Sequence, residues 1–196
     1  MPAYKYGIRG MFLSKKPSKP FIIIRRNTME ITTLITEEEI KKRVEALGKQ
    51  IAKEHDGEEL ILLGALKGCV IFLSDLARHL PADTTQIDFF RVSSYKGTES
   101  TGIAKLIFDF TVDIRDKHVI LVEDIIDTGT TLAFIEQHVA LKAPKSFKVC
   151  TLLNKNKVQD AKIHYNGFDI PNKFVVGYGL DHDNRYRNLP YIGAIN

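Results

Sequence analysis

Between residues 36 and 51 the apolar positions Ile40, Val44, Leu47 and Ile51 recur every three or four residues, which lays one stripe along a helix. Thr36 and Glu39 in front of them have the form of a capping box, so the pattern predicts an amphipathic helix ending near 55–57. The period then changes. ELILLGAL (59–66) and HVILV (118–122) are unbroken apolar runs, short enough to be strands buried on both faces. QIDFFRVSSY (86–95) and IAKLIFDF (103–110) read as strands joined by the polar KGTESTG, and FKVCTLLN and FVVGYG as two more. Helical spacing returns in VIFLSDLARHL after Lys67-Gly68 and in LAFIEQHVALK. Strands alternating with helices predict an α/β fold with a central, mainly parallel sheet flanked by helices. In such a sheet ligands bind beyond the C-terminal ends of the strands, so chemistry is sought there.

Composition narrows the picture. With 196 residues, 44% hydrophobic and 27% charged, the chain suits one sizeable globular domain. No apolar run approaches the roughly 18 to 20 residues a membrane helix needs, and no membrane partner is expected. Cys69 and Cys150 lack ligand-like spacing, which predicts core thiols in a reducing, cytoplasmic setting.

The net charge of +4 is unevenly spread. Residues 1–28 carry seven Lys and Arg and no acid, leaving 21 basic against 24 acidic side chains in the remainder. Basic character therefore belongs to the N-terminal stretch, and nucleic-acid binding by the rest is not expected. That stretch has the wrong order of charge and apolar residues for a secretory signal. It is expected to be an appendage before Met29, disordered or translated upstream of the natural start, with 29–196 forming the domain.

VILVEDIIDTGTT (119–131) carries the chemistry. Four branched apolar residues run into Glu123 and Asp124, and Asp127 then precedes a Thr-Gly-Thr-Thr turn leading into a helix. Backbone N–H groups at a helix start, close approach at Gly129 and the hydroxyls of Thr128, Thr130 and Thr131 suit a phosphate monoester. Two carboxylates would repel that phosphate but accept hydrogen bonds from sugar hydroxyls, directly or through a magnesium ion. Taken alone, Asp127 also reads as a helix N-cap.

This string resembles the phosphoribosyl-pyrophosphate motif of the type I phosphoribosyltransferases, and its EDIIDTG form is similar to that of their hypoxanthine-guanine branch. The likeness runs over about residues 35–193, through LKG (66–68), SSY…STG (93–102), Lys155, FVVGYGLD (174–181) and RYRNLPYIG (185–193). It implies the type I fold, a core sheet with a small hood built from the N- and C-terminal parts. It also implies transfer of a phosphoribosyl group to hypoxanthine or guanine with magnesium, in a homodimer or homotetramer.

Residue by residue, the resemblance puts Glu123 and Asp124 on the ribose and magnesium, and Asp127 to Thr131 on the 5-phosphate. Asp127 also lies near purine N7 as the proton-transfer group. Lys67 and Gly68, after a non-proline cis peptide, and Arg187 would hold pyrophosphate. Ile125, Lys155, Phe174 and Val175 would hold the purine: Phe174 stacks, Ile125 packs opposite, Val175 reads the base edge through its backbone and Lys155 meets the 6-oxygen. Asp181 would serve the purine end of the site and the second magnesium. Ser94 and Tyr95 open a lid. Cys69, where the family often has Gly, is expected to tune the loop or leave a thiol open to oxidation.

Two alternatives differ in prediction. A non-catalytic sensor of phosphoribosyl pyrophosphate on the same fold would carry a basic nucleic-acid face, which the charge of 29–196 does not favour. A transferase for adenine, xanthine or a pyrimidine is the nearer rival; Lys155 with Phe174-Val175 points to a 6-oxopurine, and the resemblance of EDIIDTGTT speaks against the pyrimidine and adenine variants. The choice among hypoxanthine, guanine and xanthine is not legible in the chain.

Overall fold

The computed structural model describes residues 30–94, 104–127, 130–155 and 162–195. In chain order the elements are β1 (Ile31–Ile35), α1 (Glu37–Glu54), β2 (Leu60–Ala65), α2 (Val70–Ala77), β3 (Thr85–Ser94), β4 (Ala104–Phe108), β5 (His118–Ile126), α3 (Thr130–Ala140), β6 (Ser146–Asn154), β7 (Tyr165–Asp169), β8 (Phe174–Val176) and β9 (Ile192–Ile195).

Helix α1 starts where expected. Thr36 Oγ1 accepts from the Glu39 N–H at 3.3 Å while Glu39 Oε2 accepts from the Thr36 N–H at 2.8 Å, and Glu37, Glu38 and Glu39 complement the positive end of the helix. Its stripe of Ile40, Val44, Leu47 and Ile51 is buried, each side chain stabilising by roughly 1.5–3 kcal/mol as an upper figure. At Gly48 a Cβ would overlap the His79 side chain, so glycine lets α1 approach the end of α2 closely.

The main sheet has the order β4-β3-β2-β5-β6-β7, with β2, β3, β5, β6 and β7 parallel and β4 antiparallel to β3. Alternation along the central strands sorts side chains to two faces. Leu60, Leu62, Ile120 and Val122 pack with α1 and α2; Ile61, Leu63, Val119 and Leu121 pack with Leu132, Ile135 and Val139 of α3. A second sheet, β1-β9-β8, is antiparallel and joins residues from both ends of the domain. That is the hood expected from the N- and C-terminal parts, although its strands β1 and β9, and strand β7 of the main sheet, were not predicted.

The chain winds from β2 outward to β3 in one direction and from β5 outward through β6 and β7 in the other. Strands β2 and β5 are neighbours, so the winding reverses between them, and the crevice beyond their C-terminal ends is the place where this topology binds ligands.

Candidate active site

Strand β5 was expected to end at Val122 but runs on to Ile126. Its alternation slips by one residue across Glu123–Asp124: Ile125 joins the cluster of Ile120 and Val122, and Ile126 that of Val119 and Leu121. The carboxylates thus sit inside a strand at the point where its regular facing is interrupted. Burial pushes the Glu123 carboxyl well above the usual range, and Asp124 beside it adds to this. Asp124 is pushed up to about 6, chiefly by burial; hydrogen bonds from backbone N–H groups, led by that of Ile125, and the Arg187 charge oppose the rise. Acids held this way are poised for a cationic or hydroxyl-bearing partner.

The turn after β2 reaches the same place. The Leu66-Lys67 peptide is cis, and Lys67 is exposed. Gly68 lies against Asp124, where a Cβ would overlap Oδ2, and Gly179, at φ +104°, lies against the carbonyl of Gly68. Arg187 donates to the Gly179 carbonyl at 2.7 Å and pairs with Asp181 at 2.6 Å. Gly68, Asp124, Gly179, Asp181 and Arg187, drawn from three stretches of the chain, are therefore one cluster, which Lys67 adjoins through Gly68. Cys69 is fully buried, and burial raises its thiol pKa; the expectation of an oxidisable thiol is corrected by that enclosure.

A cavity of about 240 Å³ opens beside this cluster, lined by Asp124, Ile125, Lys155, Phe174, Val175, Leu180 and Asp181. Lys155 follows β6 with its side chain 12% exposed, and its Nζ lies 3.1 Å from Asp127 Oδ2. Phe174 opens β8 and is 53% exposed, unusual for an aromatic beside a buried Val175. Glu123 does not line this cavity. A larger cavity of about 530 Å³, between α1, α2 and residues 188–190, contains none of the predicted residues, so convergent polar groups rather than volume mark the site.

Thr130 and Thr131 begin α3; their side chains, that of Ser94 at the end of β3, and all of Tyr95, Thr128 and Gly129 lie outside the described residues. Two contributors were missed in the sequence. Leu180 lines the cavity, and His182 meets Phe174 edge to face at 5.5 Å and 80°. Neither carries a local signal: Leu180 owes its position to the turn at 177–180, and His182 to its backbone pairing with Arg185.

Among the described residues no three His, Cys, Asp or Glu side chains form a metal cage. Asp124 and Asp181 across one cavity fit instead the habit of magnesium, which takes one or two carboxylates and completes its shell with water and substrate oxygens. Nor is any described helix long and apolar enough to cross a membrane.

The model of the phosphoribosyl transferase domain matches residues 31–183. A hypoxanthine-guanine phosphoribosyltransferase of Mycobacterium bovis is 43% identical over 174 residues, 84% of this chain and 86% of the relative. A crystal structure of such an enzyme from Bacillus anthracis superposes with TM-score 0.79 at 44% identity, over 86% of this chain and all of that one. Hypoxanthine phosphoribosyltransferase from Trypanosoma cruzi, solved with its product IMP, gives 0.77 at 36%, over 87% and 96%. Sheet order, the crevice at the β2–β5 reversal and these likenesses agree: the chain belongs to the phosphoribosyl transferase family.

Proposed function

We propose that the protein transfers the phosphoribosyl group of 5-phosphoribosyl 1-pyrophosphate to hypoxanthine or guanine, giving the nucleoside 5′-monophosphate and pyrophosphate. The observation that carries this is the Lys155–Asp127 pair beside the cavity shared with Phe174. A 6-oxopurine presents N7 and O6 side by side on one edge. A donor and a carboxylate 3.1 Å apart match that edge, Lys155 donating to O6 and Asp127 facing N7. Adenine offers an amino donor in place of O6, which would leave two donors opposed.

Phe174 stacks on one face of the base and Ile125 packs on the other, while the Val175 backbone meets the remaining edge. Glu123 and Asp124 serve the ribose hydroxyls, and the 5-phosphate takes the start of α3 at Asp127, Thr128, Gly129, Thr130 and Thr131. Pyrophosphate lies on the Lys67–Gly68 backbone opposite Arg187, whose guanidinium exchanges its contact with Asp181 for the ligand while staying anchored on the Gly179 carbonyl. Magnesium, held by Asp124 and Asp181 with Glu123 nearby, would neutralise the leaving group's charge. In the reaction purine N9 attacks C1 of the ribose, the bond from C1 to the pyrophosphate oxygen breaks, and a proton on N7 passes to Asp127. Because the transition state has oxocarbenium character, the site needs positioning and enclosure rather than a nucleophile.

We assign residues 29–196 to one catalytic domain with 1–28 as its appendage, in a cytoplasmic homodimer or homotetramer; the two buried free thiols support a reducing compartment. The reading is tested by supplying hypoxanthine, phosphoribosyl pyrophosphate and magnesium and quantifying products. IMP and pyrophosphate in equal amounts are expected. Tight binding of phosphoribosyl pyrophosphate without nucleotide formation would favour a sensor.

A further inference from the structure

Gly177 and Leu180 exchange both backbone hydrogen bonds, each at 3.0 Å, closing a two-residue turn whose central residues Tyr178 and Gly179 have φ of +47° and +104°. Positive φ at both centres is the pattern that favours Asn-Gly. A tyrosine at the first centre is disfavoured by its own backbone, so its presence points to its side chain. That side chain is buried and its hydroxyl donates to Asp75 Oδ2 at 2.7 Å, on α2.

The other side of the turn faces the pyrophosphate cluster. Gly179 N–H donates to the Arg187 carbonyl at 2.9 Å, the Arg187 guanidinium donates back to the Gly179 carbonyl, and Tyr178 N–H donates to the Leu189 carbonyl at 2.8 Å. Gly179 also backs the Gly68 carbonyl with no room for a methyl group between them. Gly68 in turn leads through Cys69 into α2. The chain of contacts is a closed loop from α2 through Asp75, Tyr178, Gly179 and Gly68 back to α2.

We propose that Asp75 and Tyr178 are positioning residues for pyrophosphate. Their hydrogen bond fixes the 177–180 turn to α2, and the turn sets the Gly68 backbone and Arg187 relative to each other. The inference rests on the phosphoribosyl-transfer reading. Asp75 also pairs with exposed Arg78 at 2.7 Å, which provides a control.

The test measures binding of pyrophosphate with magnesium by calorimetry, together with steady-state kinetics. Tyr178→Phe keeps the ring and removes the hydroxyl; it should raise the pyrophosphate Kd and the KM for phosphoribosyl pyrophosphate about tenfold, with the KM for hypoxanthine unmoved and only the small fall in thermal midpoint that one lost hydrogen bond gives. Asp75→Asn still offers an acceptor and should stay near wild type, whereas Asp75→Ala should match Tyr178→Phe. The double variant Tyr178→Phe/Asp75→Ala should be no worse than either single change. Arg78→Ala should change nothing. An unchanged pyrophosphate Kd in Tyr178→Phe, or a parallel loss in both KM values, kcat and the thermal midpoint, would overturn the proposal. Because pyrophosphate binding does not depend on base transfer, the strut is tested even if wild type turns over no purine, which would count against the functional reading alone.

Discussion

A methyl group at Gly68 would overlap Asp124 Oδ2, so this residue ties two parts of the site together by having no side chain. Gly68→Ala should lower turnover by about 100-fold, the scale of a displacement of about 1 Å at a reacting centre; turnover near wild type would show that the loop relocates freely. Asp127→Asn keeps shape and removes the charge facing Lys155. Hypoxanthine turnover should fall by 10²-fold or more, about the worth of a general base, while calorimetric binding of phosphoribosyl pyrophosphate persists; equal turnover would remove Asp127 from proton transfer. Asp124 costs the ligand-free protein stability. Its carboxyl moves from an ordinary 3.8 to about 6 on folding, so the folded state binds more protons and stability falls as pH rises between those values. The neutral Asp124→Asn should therefore raise the thermal midpoint at pH 8, by up to about 3 kcal/mol in stability, and lose that advantage near pH 4. A variant no more stable at pH 8 than wild type would contradict the burial argument.

The elements most legible in the sequence are those whose signal is local. The stripe and capping box of α1 and the apolar runs of β2, β5 and β6 each specify their own conformation before any partner is known. Thr36→Ala should cost about 1 kcal/mol through the lost cap, read as a shift in the denaturation midpoint; no shift would mean that tertiary packing alone sets this helix start. Strands β1, β7 and β9 were not legible. Ile31–Ile35 holds two threonines, Tyr165–Asp169 centres on Gly167 and Ile192–Ile195 is four residues long. Their strand state comes from pairing, β1 with β9 and β7 with β6, which no window of sequence contains. The same division applies to the site. Its acids, Lys155 and Phe174 stand at or beside strands in a readable order, but the Asp124–Gly68–Gly179 stack and the His182–Phe174 contact arise where separate turns meet.

At the scale of the molecule, the reversal between β2 and β5 concentrates the C-terminal ends of three strands on one crevice, and the hood sheet brings Phe174 over it. The acids inside β5, the start of α3 just after them, Lys155 after β6 and Phe174 at the head of β8 are thus brought together from separate elements, which suits a reaction that depends on alignment. Seven Lys and Arg and no acid fall within residues 1–28, and the balance of charge in the remainder is acidic. The most direct measurement of the central claim is the ratio of kcat/KM for hypoxanthine to that for adenine, in wild type and in Lys155→Ala. The arrangement of Lys155, Asp127 and Phe174 predicts a ratio of 10⁴ or more in wild type, the scale on which a buried hydrogen-bonding site rejects the wrong partner, and a collapse of that ratio in the variant. A wild-type enzyme that uses adenine as readily as hypoxanthine, or a variant with undiminished preference, would contradict it.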